Sequence, residues 1–258
     1  MKRILPIFLG CLLFMCIPSL YAQNQVKHVV VVGFDGLGAY AVPKANMPHL
    51  KKLMEDGAFS LRARTVLPSS SAVNWASMIM GASPTMHGYT EWGSKTPEIP
   101  SVVVNENGMF PSIFSVIKKN NPAAKVAAVY SWEGISYLLE KPIMDIDIAI
   151  KGNEDETVAQ AIKVIQTEKP DFLFVHFDQP DGAGHEFGHD SPEYYKELEK
   201  VDARLGAVEK AVRDAGIEKE TLFIEEGQPF SYLLSLNTRI FVVSTNINNP
   251  NRANMPKE

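Results

Sequence analysis

Three short clusters hold residue types that can do chemistry together: Gly33-Phe34-Asp35-Gly36, Leu67 through Trp75 with Ser69-Ser70-Ser71 and Asn74, and Phe177 through His185 with Asp178, Asp181 and His185. Carboxylate and imidazole four residues apart, as in Asp181 and His185, meet on one side of a helical turn and suit a divalent cation. Each cluster also has a bland reading. Asp-Gly after a strand makes a turn, a serine run before an apolar helix makes an N-cap, and a glycine-rich stretch with Asp181 and His185 makes a solvated loop.

The elements around these clusters decide whether they can meet. His28 to Phe34 is β-branched and apolar on both faces, the pattern of a strand buried within a parallel sheet, and it ends at Asp35. A helix follows from Pro48 to its stop at Gly57, then an apolar stretch from Phe59 to Leu67. Pro111 is expected to open a helix with Ile113, Phe114 and Ile117 on one face. Lys125–Tyr130 reads as a strand, Val158, Ile162 and Ile165 mark a helix, and Phe172–Phe177 is again a continuous apolar strand. Leu198, Val201, Leu205, Val208 and Val212 repeat at three- and four-residue steps along a long amphipathic helix, and Thr221–Ile224 starts another strand. This alternation predicts an α/β fold, a mostly parallel sheet with helices on both faces. In such sheets ligands gather beyond the carboxyl ends of the strands, where Asp35 and the Asp178-to-His189 segment both fall. The stretch from Trp92 to Gly108, with Pro97 and Pro100, reads as an irregular insertion.

Composition narrows the classes of function. The 258 residues mix both charge signs and are apolar enough to form a core. A formal net charge of -5 without a basic stripe argues against nucleic-acid binding. Met1-Lys2-Arg3 followed by an apolar run from Ile4 to Leu20 and Tyr21-Ala22-Gln23 reads as a secretory signal over residues 1–22, so export to a periplasm or the exterior is expected. A retained membrane anchor is the alternative. Cys11 and Cys16, the two cysteines, lie inside this segment, so the mature chain is expected to use no thiol chemistry and, after signal cleavage, to have no membrane span. Met15 is bulkier than the residue that bacterial lipoprotein signals place before a lipidated cysteine, which makes lipid attachment at Cys16 the lesser option.

Taken in order, the clusters resemble the alkaline phosphatase superfamily, nearest to its nucleotide pyrophosphatase/phosphodiesterase branch. Met47-Pro48-His49-Leu50 and Gly81 through Gly88, with Pro84 and His87, are similar to two further elements of that branch, and the likeness runs from about Val29 to Ile224. The resemblance implies an alkaline phosphatase-like fold that binds two divalent metal ions, zinc being the family's usual choice, although the donors suit other divalent metals too. Asp35 and Ser71 would hold one ion, and Asp181 and His185 the other. It also implies Ser71 as nucleophile toward a small-molecule phosphoric ester, a covalent phosphoserine hydrolysed by water, and Asn74 as a donor to a phosphoryl oxygen. Asn74 can equally be a helix-capping residue. His87 is expected to be structural, His176 a core residue, and His189 an unplaced candidate.

The resemblance breaks after Thr221–Ile224. The family follows this strand with Ser-Asp-His-Gly, whose Asp and His complete one metal site, and places a further His later. Here Glu225-Glu226-Gly227-Gln228 follows, and no His occurs after His189. The expected organisation is therefore a partial metallohydrolase domain over 23–224 and a divergent tail over 225–258, from an altered or truncated reading frame. Glu225 and Glu226 are the only nearby replacements for the missing ligands. Tyr89-Thr90-Glu91-Trp92 also stands where phosphodiesterase relatives tend to place a phosphoryl-contacting Asn, which leaves monoester and diester substrates both open. An inert family member acting as a binding protein is the alternative from another class. A sulfatase is disfavoured because Ser71-Ala72-Val73-Asn74-Trp75 lacks that branch's Pro and Arg.

Overall fold

The structure, a computed structural model, describes residues 26–227 and the strand 238–245. The expected signal segment with its two cysteines, and the tail beyond Gly227 apart from that strand, lie outside the described residues. The elements in chain order are β1 (His28–Phe34), α1 (Pro48–Asp56), β2 (Ala58–Arg64), α2 (Ser71–Met80), α3 (Pro84–His87), α4 (Ile113–Asn120) and β3 (Val126–Tyr130). They continue with β4 (Ile146–Ala149), α5 (Glu154–Glu168), β5 (Phe172–Phe177), α6 (Asp181–Phe187), α7 (Pro192–Asp214), β6 (Thr221–Gly227) and β7 (Thr238–Thr245).

Among the described residues the strands form one sheet in the order β2-β7-β6-β1-β5-β3-β4. The β6-β1-β5-β3-β4 block is parallel, and β7 runs antiparallel to both β6 and β2. The mostly parallel sheet read from the sequence is thus present, and residues 225–227 prolong β6 past Ile224.

Strand alternation divides the core in two. Val30, Val32 and Phe34 of β1 pack with Leu50 of α1, Val164 of α5 and Leu198 and Leu205 of α7. Val31 faces the other way, with Trp75 and Ile79 of α2 and Phe114 of α4. This is why β1, buried on both sides, reads as an uninterrupted apolar run. Asp202 ties the first face together: buried on α7, its carboxylate accepts from the His49 and Leu50 backbone N–H groups at 3.0 and 2.8 Å, capping α1 where Met47 offers no side chain.

One local reading shifts. Helix α4 begins at Ile113 rather than at Pro111, because Ser112 is the N-cap, its side chain accepting from Ser115 N–H in a capping box. The region from Trp92 to Gly108 carries neither helix nor strand, as its prolines predict. Among the described residues no helix is long and apolar enough to cross a membrane.

Candidate active site

Adjacent parallel strands bring the first and third clusters together. Phe34 of β1 stands beside Phe177 of β5, so Asp35 and Asp178 leave the sheet side by side at its carboxyl edge. Asp35 N–H donates to Phe177 O at 2.9 Å, and Asp35 O accepts from Asp181 N–H at 2.9 Å. Gly36 makes that junction possible. Its φ is +77°, and a Cβ there would lie 2.4 Å from the Asp181 Cα.

Ser71 enters from the other side as the first residue of α2. Its side chain lies beside the Asp35 carboxylate, which accepts from Trp75 Nε1–H at 3.1 Å. The serines before it do not act as caps: Ser70, at the N-cap position, makes no side-chain cap bond, and the buried hydroxyls of Ser69 and Ser70 have no partner among the described residues. Asn74 instead braces this approach. Its Oδ1 accepts from Val66 N–H at 3.1 Å and its Nδ2 donates to Ser70 O at 2.9 Å, which fixes the loop that delivers Ser71.

Asp181 opens α6, and the i to i+4 spacing brings His185 Nε2 to 3.3 Å from Asp181 Oδ2. Asp35, Asp178 and Asp181 crowd one another. Burial pushes the Asp35 carboxyl up to about 7, helped by the Asp178 charge and opposed by the Trp75 and Ser71 hydrogen bonds. Burial, then Asp35 and Asp178, push Asp181 up to about 8. Burial also raises Asp178, with His185 pulling it down.

The sequence gives Asp178 a place in the third cluster but no role of its own, and its position directly after a buried strand, matching that of Asp35, is the signal that finds it. Behind it, Asp178 N–H donates to Ser131 Oγ at 2.8 Å and to Glu154 Oε1 at 3.1 Å. Burial pushes Glu154 up to about 7.

The remaining histidines are placed plainly. His87 Nδ1 accepts from Tyr89 N–H at 3.1 Å, so its proton sits on Nε2, 2.9 Å from Ser77 Oγ, which in turn donates to Val73 O. It is fully buried, and burial lowers it to about 4: a structural neutral ring. His176 is a buried core residue packed edge-on to Trp75. His189 Nδ1 lies 3.0 Å from Tyr40 Oη.

Glu225 and Glu226 fall on opposite faces of β6. Glu225 pairs in register with Val32; it is fully buried, and burial followed by the charges of Glu226 and Asp202 raises its carboxyl well above the usual range. Glu226, beside Gly33, borders an apolar cleft of about 630 Å³ between α2 and α4. Alternation therefore keeps the two carboxylates from serving one ion as an adjacent pair.

The donor chemistry here, three carboxyls held up by burial and mutual repulsion beside an imidazole and a hydroxyl, fits divalent cations. The donor count does not complete a centre: among the described residues no group of three or more His, Cys, Asp or Glu side chains is placed to hold a metal ion. The β1–β6 register is described up to Phe34 and Gly227, and the following residue, Gln228, lies outside the described residues.

Residues 29–224 match the family described as type I phosphodiesterase / nucleotide pyrophosphatase. Ectonucleotide pyrophosphatase/phosphodiesterase family member 1 of Mus musculus is 24% identical over 215 residues, covering 78% of this chain and 24% of the relative. Venom phosphodiesterase of Macrovipera lebetinus is 23% identical over 239 residues, with 78% and 25% covered. The chain thus spans about a quarter of the length of these curated relatives. Among solved structures, an inactive form of murine ectonucleotide pyrophosphatase / phosphodiesterase 5 in complex with AMP superposes with a TM-score of 0.64 at 20% identity, over 78% of this chain and 56% of the other, a likeness of fold.

Proposed function

Because the chain belongs to the type I phosphodiesterase / nucleotide pyrophosphatase family, we propose that it hydrolyses small phosphoric esters, of the phosphodiester or nucleotide pyrophosphate type, with Ser71 as nucleophile. The observation that carries this reading is the placement of Ser71, the first residue of α2, beside the buried Asp35 carboxylate, with Asp181 and His185 at the same carboxyl edge of the sheet. Murine ectonucleotide pyrophosphatase / phosphodiesterase 5 in complex with AMP supplies the substrate chemistry by analogy.

Ser71 stands at the N-terminus of a ten-residue helix, whose first-turn N–H groups and dipole favour a phosphoryl group. Attack forms the Ser71 Oγ–phosphorus bond and breaks the bond to the leaving oxygen, which takes a proton from solvent water. The Ser71 proton passes to solvent, and the Asp35 carboxylate beside it keeps the serine oxygen oriented. Water then displaces Ser71 from phosphorus, and the hydroxyl is restored. Asp35 with Ser71, and Asp181 with His185, would hold two divalent cations, which when bound stabilise negative charge on the attacking and leaving oxygens. Asn74 supports the same step by bracing Ser70, or by donating to a phosphoryl oxygen. The words ecto and venom in the relatives' names support the export read from residues 1–22.

The experiment is release of nitrophenol from nitrophenyl phosphate esters by the zinc-supplemented protein and by Ser71→Ala. The variant should lose turnover, and equal turnover would remove Ser71 from this role. A second reading, a non-catalytic binding protein on the same fold, is favoured by the incomplete donor count. Metal analysis separates them: about two tightly held ions per chain support the enzyme, and none supports the binder.

A further inference from the structure

The Asp35 carboxylate is held by the helix that carries Ser71. Ser71 opens α2 and Trp75 lies one turn later on the same side, its indole N–H donating to Asp35 Oδ2 at 3.1 Å in a fully buried setting. The indole occupies a slot shaped for it. At Gly33 an added Cβ would stand 2.4 Å from the ring, His176 meets it edge-on with centroids 4.6 Å apart, and Phe174 packs at 5.9 Å. Both His176 ring nitrogens lack a partner among the described residues, so that ring serves as a wall rather than a donor. A position that needed only bulk would be filled by Phe or Leu; a tryptophan buried here satisfies its N–H on a carboxylate and orients it.

We propose that Trp75 is a positioning residue, fixing the Asp35 carboxylate in the orientation that meets the Ser71 hydroxyl and so locking helix α2 to the end of β1. Its kinetic consequence rests on the reading of Ser71 as nucleophile, whereas the clamp itself does not. Losing a hydrogen bond to a charged group and loosening the nucleophile's geometry together lower turnover about ten- to a hundredfold.

Trp75→Phe keeps an aromatic ring and removes the N–H. Phe174→Leu trims the opposite wall of the slot without touching the hydrogen bond and serves as the packing control. Trp75→Phe should lower kcat by about ten- to a hundredfold with KM nearly unchanged, while Phe174→Leu should keep kcat within about threefold at a similar loss of Tm. Wild-type turnover by Trp75→Phe, or a common fall of both variants in step with Tm, overturns the proposal. Should the wild-type protein show no turnover, the clamp is still read by NMR. Of the indole N–H resonances of the three tryptophans, that of Trp75 should exchange slowest and shift in Asp35→Asn. A Trp75 N–H that exchanges as fast as that of exposed Trp92, or that ignores Asp35→Asn, overturns it.

Discussion

Replacing Asp35 by Asn should flatten the pH dependence of folding stability in the metal-free protein. Burial lifts this carboxyl from 3.8 to about 7, the Asp178 charge adds to the lift, and the Trp75 and Ser71 bonds only partly oppose it. A carboxyl raised in the folded state keeps its proton there while the unfolded chain releases it. Stability linked to it is therefore full below 3.8 and is lost as pH rises through about 7. A shift of about three units at about 1.36 kcal/mol each is about 4 kcal/mol in all, of which about 3 kcal/mol falls between about pH 5 and pH 8. Asp181, raised to about 8, acts in the same direction, but it interacts with Asp35 and the two do not add. The amide of Asp35→Asn keeps an oxygen for the Trp75 N–H and carries no charge. Urea unfolding in chelator should show wild type losing about 3 kcal/mol more than Asp35→Asn over that interval. Adding a divalent cation at the alkaline end should raise the wild-type midpoint and leave the variant nearly unmoved. Parallel pH profiles for the two proteins would refute the electrostatic account of the cluster.

Gly36→Ala should destabilise the fold by more than about 1 kcal/mol, since φ there is +77° and the new methyl would press on the Asp181 backbone, and it should abolish turnover by parting Asp35 from Asp181. Thermal unfolding and ester hydrolysis measure the two effects, and a variant with native Tm would contradict the close approach. Glu225→Leu should stabilise the protein by about 1–3 kcal/mol at neutral pH, because both carboxylate oxygens are buried without a partner among the described residues. Its carboxyl is raised in the fold, so the gain should grow as pH climbs above 4.5. A lower urea midpoint for this variant at neutral pH would show that Glu225 is stabilising.

What could be read from the sequence follows from periodicity. Strands β1 and β5 are buried on both faces, so their apolar runs announce a parallel interior, and Asp35 and Asp178 mark where each ends. The Asp181–His185 spacing fixes a shared helical face without knowledge of the rest of the chain. Periodicity does not tell what a side chain meets across the fold. Trp75 looks like any aromatic in an apolar helix, and only the packing of α2 on β1 aims its N–H at Asp35. Glu225 and Glu226 look like a paired substitute for lost ligands, until the continuation of β6 sends them to opposite faces. Strand β4, whose burial alternates over four residues at the sheet edge, is too short for its pattern to stand out.

On the proposed mechanism the Ser71 oxygen attacks phosphorus beside Asp35 and Asp181. Rapid acid quench of the protein turning over a phosphoric ester, followed by peptide mass spectrometry, tests it at the atom concerned. A phosphoryl adduct on the peptide containing Ser71, missing in Ser71→Ala, is the predicted result. Sustained turnover with Ser71 unmodified at every quench time, and undiminished in Ser71→Ala, would contradict the account.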